Sequence, residues 1–279
     1  MKRLTLILLV LLTLPSYGQL TAKDIVAKIK SEVNCDWSKE TVDTFKAGNP
    51  DAEVKGVATS FMATMEVLKK AKARGLNFVI THEPTFYSHT DDLATHKNSA
   101  IQQEKLKFIR DNDMVVWRFH DHIHRNEPDM IYQGVLDKLD WHAYRNGEGV
   151  AFTIPEMTLE EIVNHIRNQF GAKTLRIVGD PDEKFTKVGM ALGASGSGSH
   201  FARLDNPDVD LLIVGETNEW ETVPYVQDAI ELGYKKALIV MGHADSEEAG
   251  MIYFAEWLQG LYSDLKIEFI EAGNPYWNK

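Results

Sequence analysis

Histidines and carboxylates gather at three places in this 279-residue chain, a donor mix that suits divalent metal ions. His82 and Glu83 stand in "THEPTFY", His120, Asp121, His122 and His124 in "FHDHIH", and His243 and Glu247 in "GHADSEEAG". In the first cluster Pro84 keeps Glu83 out of helical geometry, so the adjacent imidazole and carboxylate face different directions and could serve neighbouring ions. A turn with a surface histidine and a charged neighbour is the plain alternative. In the second, a strand would send His120, His122 and His124 to one face, and a shared cation is the simplest reason for three imidazoles there. If the strand stops at His120, only some of the three converge; Asp121 then faces away or orients an imidazole. In the third, His243 ends a strand and Glu247 falls in the first turn of the following helix, where an acid is favoured by the dipole in any case. Asp245 and Glu248 have the spacing of a capping box, which leaves Glu247 free to turn toward His243.

Each cluster follows an apolar run, "NFVI", "VVWRF" or "KALIVM", and ligands bind at the carboxyl ends of strands in α/β sheets. From Val54 onward short β-rich runs alternate with helical periodicity, which predicts an α/β fold with a mostly parallel sheet covered by helices. Helices are expected over 60–74, stopped by Gly75, over 97–110, over 158–170, ended by Gly171, over 223–232, stopped by Gly233, and from near Ser246. Further strands are "TLRIV", "KVGMAL", "VDLLIV" and "KIEFI". The loop "EPTFYSHTDDLATH" is long enough to carry a function. The glycine-rich "GASGSGSH" could offer backbone N–H groups to an anion but lacks the lysine of a phosphate loop, and a flexible turn is the simpler reading. His142, His165 and Cys35 have no partner motif, and Met62 and Met65 read as core.

Lys2 and Arg3, an apolar run from Leu4 to Leu14, Pro15 and Gly18 have the layout of a secretory signal peptide over 1–18, which predicts an exported, periplasmic or extracellular protein. Cleavage after Gly18 removes two cations and takes the net charge from −11 to −13. Such an acidic chain has no basic stripe for nucleic acid. No second apolar stretch is long enough to span a membrane after the signal is removed. A single cysteine makes no internal disulfide, so stability must come from the core, metals or assembly. About 260 mature residues suffice for one large or two modest domains.

Taken in order, "ITHEPTFY", "FHDHIH", "VGETNEWETVPYVQDA" and "IVMGHADSEEAG" resemble the dinuclear metal-centre hexameric family, also called GTP cyclohydrolase 1 type 2-like or NGG-interacting-factor-like, from roughly Val54 to Gly250. The family pattern has two adjacent histidines where this chain has His82 followed by Glu83. It has a histidine and, four residues on, an aspartate where this chain has His120 and His124. His243 and Glu247 match the third motif. One acid is relocated and the ligand charge is preserved. The resemblance implies a pair of divalent ions (zinc, iron, manganese or nickel) held by His82, Glu83, His120, His124, His243 and Glu247. It further implies two interlinked α/β domains, 20–138 and 139–279, with the metals at their junction, and a homo-oligomer that closes as a ring-like hexamer.

The expected function is a metal-dependent hydrolase of a small molecule with a metal-bound hydroxide as nucleophile and Glu83 or Asp121 moving the proton. A non-catalytic metal-binding or scaffold protein of the envelope is the alternative. An amidohydrolase barrel is disfavoured because its histidine pair belongs on the first strand and eight strand-helix units are needed. A metallo-β-lactamase site lacks its aspartate-histidine ending here. The cyclohydrolase label gives little guidance, since an exported protein would seldom meet GTP.

Overall fold

The computed structural model describes residues 19–147 and 149–277; the signal-peptide segment 1–18 lies outside them. The first half contains α1 (Ala22–Glu32), β1 (Phe45–Ala47), β2 (Val57–Ser60), α2 (Met65–Ala73), β3 (Phe78–Thr81), α3 (Ala100–Asp111), β4 (Val115–Arg118), α4 (Asp121–Arg125) and α5 (Met130–Leu139). The second contains β5 (Ala151–Thr158), α6 (Leu159–Phe170), β6 (Arg176–Val178), β7 (Lys184–Ala191), α7 (Ser197–Leu204), β8 (Leu211–Val214), α8 (Thr222–Glu231), β9 (Ala237–Val240), α9 (His243–Leu261) and β10 (Ile267–Phe269).

These strands form two five-stranded sheets, ordered β1-β4-β3-β2-β10 and β5-β7-β8-β9-β6. In the first, β4, β3, β2 and β10 run parallel and β1 is antiparallel. In the second, a parallel β7-β8-β9 centre is flanked by antiparallel β5 and β6. The fold is thus α/β and mostly parallel. The four-residue strands β2, β3, β4, β8 and β9 are buried throughout, as expected of strands covered on both faces. The sequence "KIEFI", within the second expected domain, supplies β10 to the first sheet beside β2, so the two halves are interlinked.

Helices α2 and α3 cover the outer face of the first sheet through Val67, Leu68, Ala71 and Ile109. The outer face of the second meets Leu204 of α7 and Val226 of α8. Between the sheets one continuous core joins Phe78 and Trp117 to Phe152 and Ile213, with Val135 and Leu136 of α5 and Met251 and Phe254 of α9 packed among them. α5 and α9 cross at glycines: a Cβ on Gly134 would lie 2.2 Å from the Ala249 carbonyl oxygen, and one on Gly250 2.4 Å from the Ile131 Cα. Among the described residues, no helix is long and apolar enough to cross a membrane.

Several helix starts differ from the sequence expectation. Ser60 prolongs β2, and α2 begins after Thr64, whose hydroxyl accepts the Val67 N–H. α6 matches expectation, with a capping box between Thr158 and Glu161 and a left-handed Gly171 at its end. α9 starts at His243 rather than near Ser246. Asp245 and Glu248 make no capping box; Asp245 accepts from the Asn274 side chain at 2.8 Å, and Glu248 accepts the Ala272 N–H at 2.6 Å. The acids that looked like a cap instead pin the chain beyond β10. Half of the glycine-rich "GASGSGSH" is the first turn of α7.

Candidate metal centre

β3 and β4 end side by side, and Asp43 shapes the chain just beyond β4. This acid, 1% exposed, accepts the backbone N–H groups of His120, Asp121 and His122 at 2.6, 2.9 and 2.9 Å. Three donors on one carboxylate turn the chain into the short helix α4, so the expected strand alternation does not occur. His120 and His124, four apart, then share a face. His122 turns away, lies fully buried and stacks on Trp37 at 3.6 Å. Its Nε2 accepts the Ser38 N–H at 2.8 Å, and Nδ1 lies 2.7 Å from Asp43. Both of its nitrogens are occupied, which makes it a structural residue.

Four other histidines share a different arrangement. His82 places Nδ1 3.2 Å from the Phe119 carbonyl, His120 3.0 Å from Asp121, His124 3.0 Å from Asp129, and His243 2.8 Å from Glu216. An imidazole that donates through Nδ1 to an oxygen leaves the Nε2 lone pair for a metal. All four Nε2 atoms face two buried carboxylates. Glu247 Oε2 lies 3.0 Å from His243 and 3.2 Å from His82, and Oε1 lies 3.8 Å from His124. Glu83 Oε1 lies 3.4 Å from both His120 and His243. All six expected ligands are therefore brought together from segments far apart in sequence. Two groups that could hold a metal ion, His82–His120–His124 and His82–Glu83–Glu247, each keep their donor atoms within 4.8 Å of one another.

His82 tests whether a cation fits. It is fully buried, its Nδ1 is committed to a carbonyl, which can only accept, and its Nε2 makes no hydrogen bond despite the nearby carboxylate. A lone pair facing a carboxylate oxygen in a dry site is unfavourable unless positive charge lies between them. Burial accordingly holds the His82 pKa below its ordinary value. Burial also pushes the Glu83 and Glu247 carboxyls up, but their histidine neighbours outweigh it and hold both well below the usual carboxylate range. His243, opposed by burial, is raised to about 11 by its hydrogen bonds to Glu247 and Glu83. The two carboxylates stay anionic and draw positive charge into the space between the rings, where divalent ions would supply it. The donor set fits a divalent metal.

Several residues that build this centre carried no role in the sequence reading. Arg118, 0% exposed, donates to the His82 carbonyl at 2.9 Å and to Glu83 Oε2 at 3.2 Å. An arginine inside the apolar run "VVWRF" was a signal that could have found it. Glu216 falls in "VGETNEW", whereas Asp43 and Asp129 stand in no motif. Gly193, with φ +60°, passes so close to Glu247 that a Cβ there would lie 2.0 Å from Oε1. That close approach gives the start of the glycine-rich loop a role other than anion binding. Asp121 accepts from His120, from the Thr41 hydroxyl at 2.7 Å and from the Val42 N–H at 3.2 Å. Of the two roles expected for it, these contacts match the orienting one. Beside His243 opens a cavity of about 680 Å³ lined by Phe61, Met62, Arg176, Glu216, Tyr276 and Trp277, among others.

Known proteins share this architecture. The chain is 26% identical to a Clostridium perfringens protein named GTP cyclohydrolase 1 type 2 homolog over 243 residues, 82% of this chain and 88% of that one. A protein of the same name from Clostridium acetobutylicum is 26% identical over 230 residues, 76% and 80% of the two chains. Staphylococcus aureus protein SA1388 superposes with a TM-score of 0.74 at 16% identity, covering 94% of this chain and all of that one. A Bacillus cereus protein related to NIF3 gives 0.73 at 13%, covering 93% and 99%. The family model for Duf34/NIF3 (NGG1p interacting factor 3) matches residues 20–275, nearly the whole described chain. With its interlinked sheets and its three histidine-carboxylate motifs, this chain belongs to the Duf34/NIF3 family.

Proposed function

We propose that the protein is an exported hydrolase of a small molecule that works with two divalent metal ions. One observation carries the reading: four imidazoles anchored through Nδ1 aim Nε2 at two buried carboxylates, beside an open cavity. His82, His120, His124, His243, Glu83 and Glu247 would hold the ions. Bound there, divalent ions supply Lewis acidity and make water acidic enough to act as a nucleophile near neutral pH.

The chain's own residues do the rest. Phe119, Asp121, Asp129 and Glu216 fix the ring orientations, so no imidazole must be ordered when substrate arrives. Arg118 occupies one oxygen of Glu83 and leaves only the other to an ion, so the proton carrier expected at Glu83 passes to a neighbour. Glu216 lines the cavity and joins His243 to solvent, which makes it the route for a proton. Phe61, Met62 and Tyr276 offer apolar surface to the body of a substrate, within the size range of small-molecule pockets. Export rests on the composition of residues 1–18, and assembly as a homohexamer rests on the resemblance. The scaffold alternative has one observation in its favour: the candidate ligands come from both halves, His82, Glu83, His120 and His124 from the segments that follow β3 and β4 and His243 and Glu247 from the helix after β9. Ions there would tie the halves together.

The test is elemental analysis of protein from its native compartment, combined with ester, amide, phosphoester and nucleoside substrate panels. Two ions per chain and a turnover abolished by chelation, His82→Ala or His243→Ala are expected. Tight binding of two ions without turnover on any panel would leave the scaffold reading, and less than one ion per chain would remove both.

A further inference from the structure

The six donors divide unequally. One ring nitrogen each of His82, His120 and His124 lies within 4.8 Å of the other two. The His82 and His120 rings stack at 4.7 Å, and Glu247 reaches this group with both oxygens, Oε2 at 3.2 Å from His82 and Oε1 at 3.8 Å from His124. On the other side of Glu247, His243 Nε2 meets two carboxylates, Glu247 Oε2 at 3.0 Å and Glu83 Oε1 at 3.4 Å. Arg118 keeps Glu83 Oε2 at 3.2 Å, so only Oε1 of that residue is available to an ion. His82 and His120 stand at the border, His82 within 4.8 Å of donor atoms of Glu83 and Glu247 and His120 3.4 Å from Glu83 Oε1, but their mutual stacking and the anchor of His120 on Asp121 hold them with the imidazole group. One half of the centre thus offers three nitrogens and a share of one carboxylate. The other offers one nitrogen and two carboxylates.

We propose that the two halves select different metals: the three-histidine half a nitrogen-preferring ion such as zinc, the carboxylate half a harder, oxygen-preferring ion such as manganese(II). The physical basis is the match between ligand and ion. Imidazole suits zinc, whereas carboxylate oxygens suit manganese, and a site's selectivity follows ligand type where raw affinity would favour zinc everywhere. Charge acts in the same direction. The carboxylate half concentrates two negative oxygens around one imidazole, a field in which a hard dication loses little by giving up water. The residues behind the ligands preserve the division: Asp121 and Asp129 anchor rings of the nitrogen-rich half, Arg118 limits the acid of the other.

This inference rests on the dinuclear reading, and the experiment separates the two. Metal-free protein is loaded first with zinc alone and with manganese alone, then with one equivalent of zinc and an excess of manganese. The products are read by elemental analysis, by manganese electron paramagnetic resonance and by anomalous diffraction at both metal edges. The expected product holds one zinc and one manganese per chain, with an isolated manganese signal and zinc density beside His82, His120 and His124. In Glu83→His, which turns the carboxylate half toward nitrogen, the manganese retained against added zinc should fall at least about tenfold. Zinc spread evenly over both positions, with the coupled signal of manganese pairs, would overturn the proposal even if the variant fails to fold. Fewer than two ions per chain in total, from each metal alone and from the mixture, would instead remove the dinuclear reading itself, and this inference with it.

Discussion

His122 and His124 stand two residues apart and do different work, because each ring nitrogen has a different neighbour. The Ser38 N–H donates to His122 Nε2, so Nε2 is an acceptor and the proton sits on Nδ1, donated to Asp43. No lone pair remains for an ion. His124 donates through Nδ1 to Asp129 and leaves Nε2 facing Glu247. Replacing His122 with alanine removes one of the four donors to the buried Asp43 and empties the space under Trp37, at a cost of about 2–4 kcal/mol in denaturant unfolding, with the ion count per chain unchanged. His124→Ala should do the reverse, losing metal while the metal-free protein changes by less than about 1 kcal/mol, since the partly exposed ring makes little core contact. The sequence showed that histidines at 120, 122 and 124 belong together but not which of them converge. That depends on Asp43, some eighty residues earlier, whose capping of three N–H groups replaces the strand with a helical turn.

Helix α9 carries His243 and Glu247 and crosses α5 at a distance only glycine allows. A methyl group at Gly250 would meet the backbone of Ile131, which cannot move as a flexible side chain would. Gly250→Ala should therefore cost about 3 kcal/mol in thermal or chemical unfolding and weaken metal binding in parallel, because the helix that shifts is the one holding two ligands. Gly260→Ala, where nothing lies within 4 Å of the added carbon, is the matched control: it should leave metal binding unchanged and stability unchanged or raised by up to about 1 kcal/mol through helix propensity. At this scale the sequence was legible wherever local chemistry decided the outcome: Gly171 ended α6, and apolar runs marked the central strands. It misled at α9 because Asp245 and Glu248 have the spacing of a cap yet bind Asn274 and Ala272, contacts that arise only after the chain beyond β10 folds back.

Across the whole molecule, the candidate ligands come from both sides of one shared core, so ions bound there would couple to folding. Each ion held at a hundredfold excess over its dissociation constant would add about 2.7 kcal/mol to stability. Chelation should accordingly lower the melting temperature of the loaded protein, and His243→Ala, which removes a ligand, should blunt that response; an unchanged melting curve would count against ions bridging the halves. The α/β class was readable from the alternation of runs, because burial on both faces leaves its mark on every central strand. The partition was not, since a three-residue strand says nothing of which sheet it joins. The placement of β10 has a consequence for biogenesis: all of the second sheet is synthesised between β4 and the strand that completes the first. A nascent chain presents β2 as a bare edge through that interval, so a fusion or truncation near residue 267 would be felt by the part of the protein made earliest.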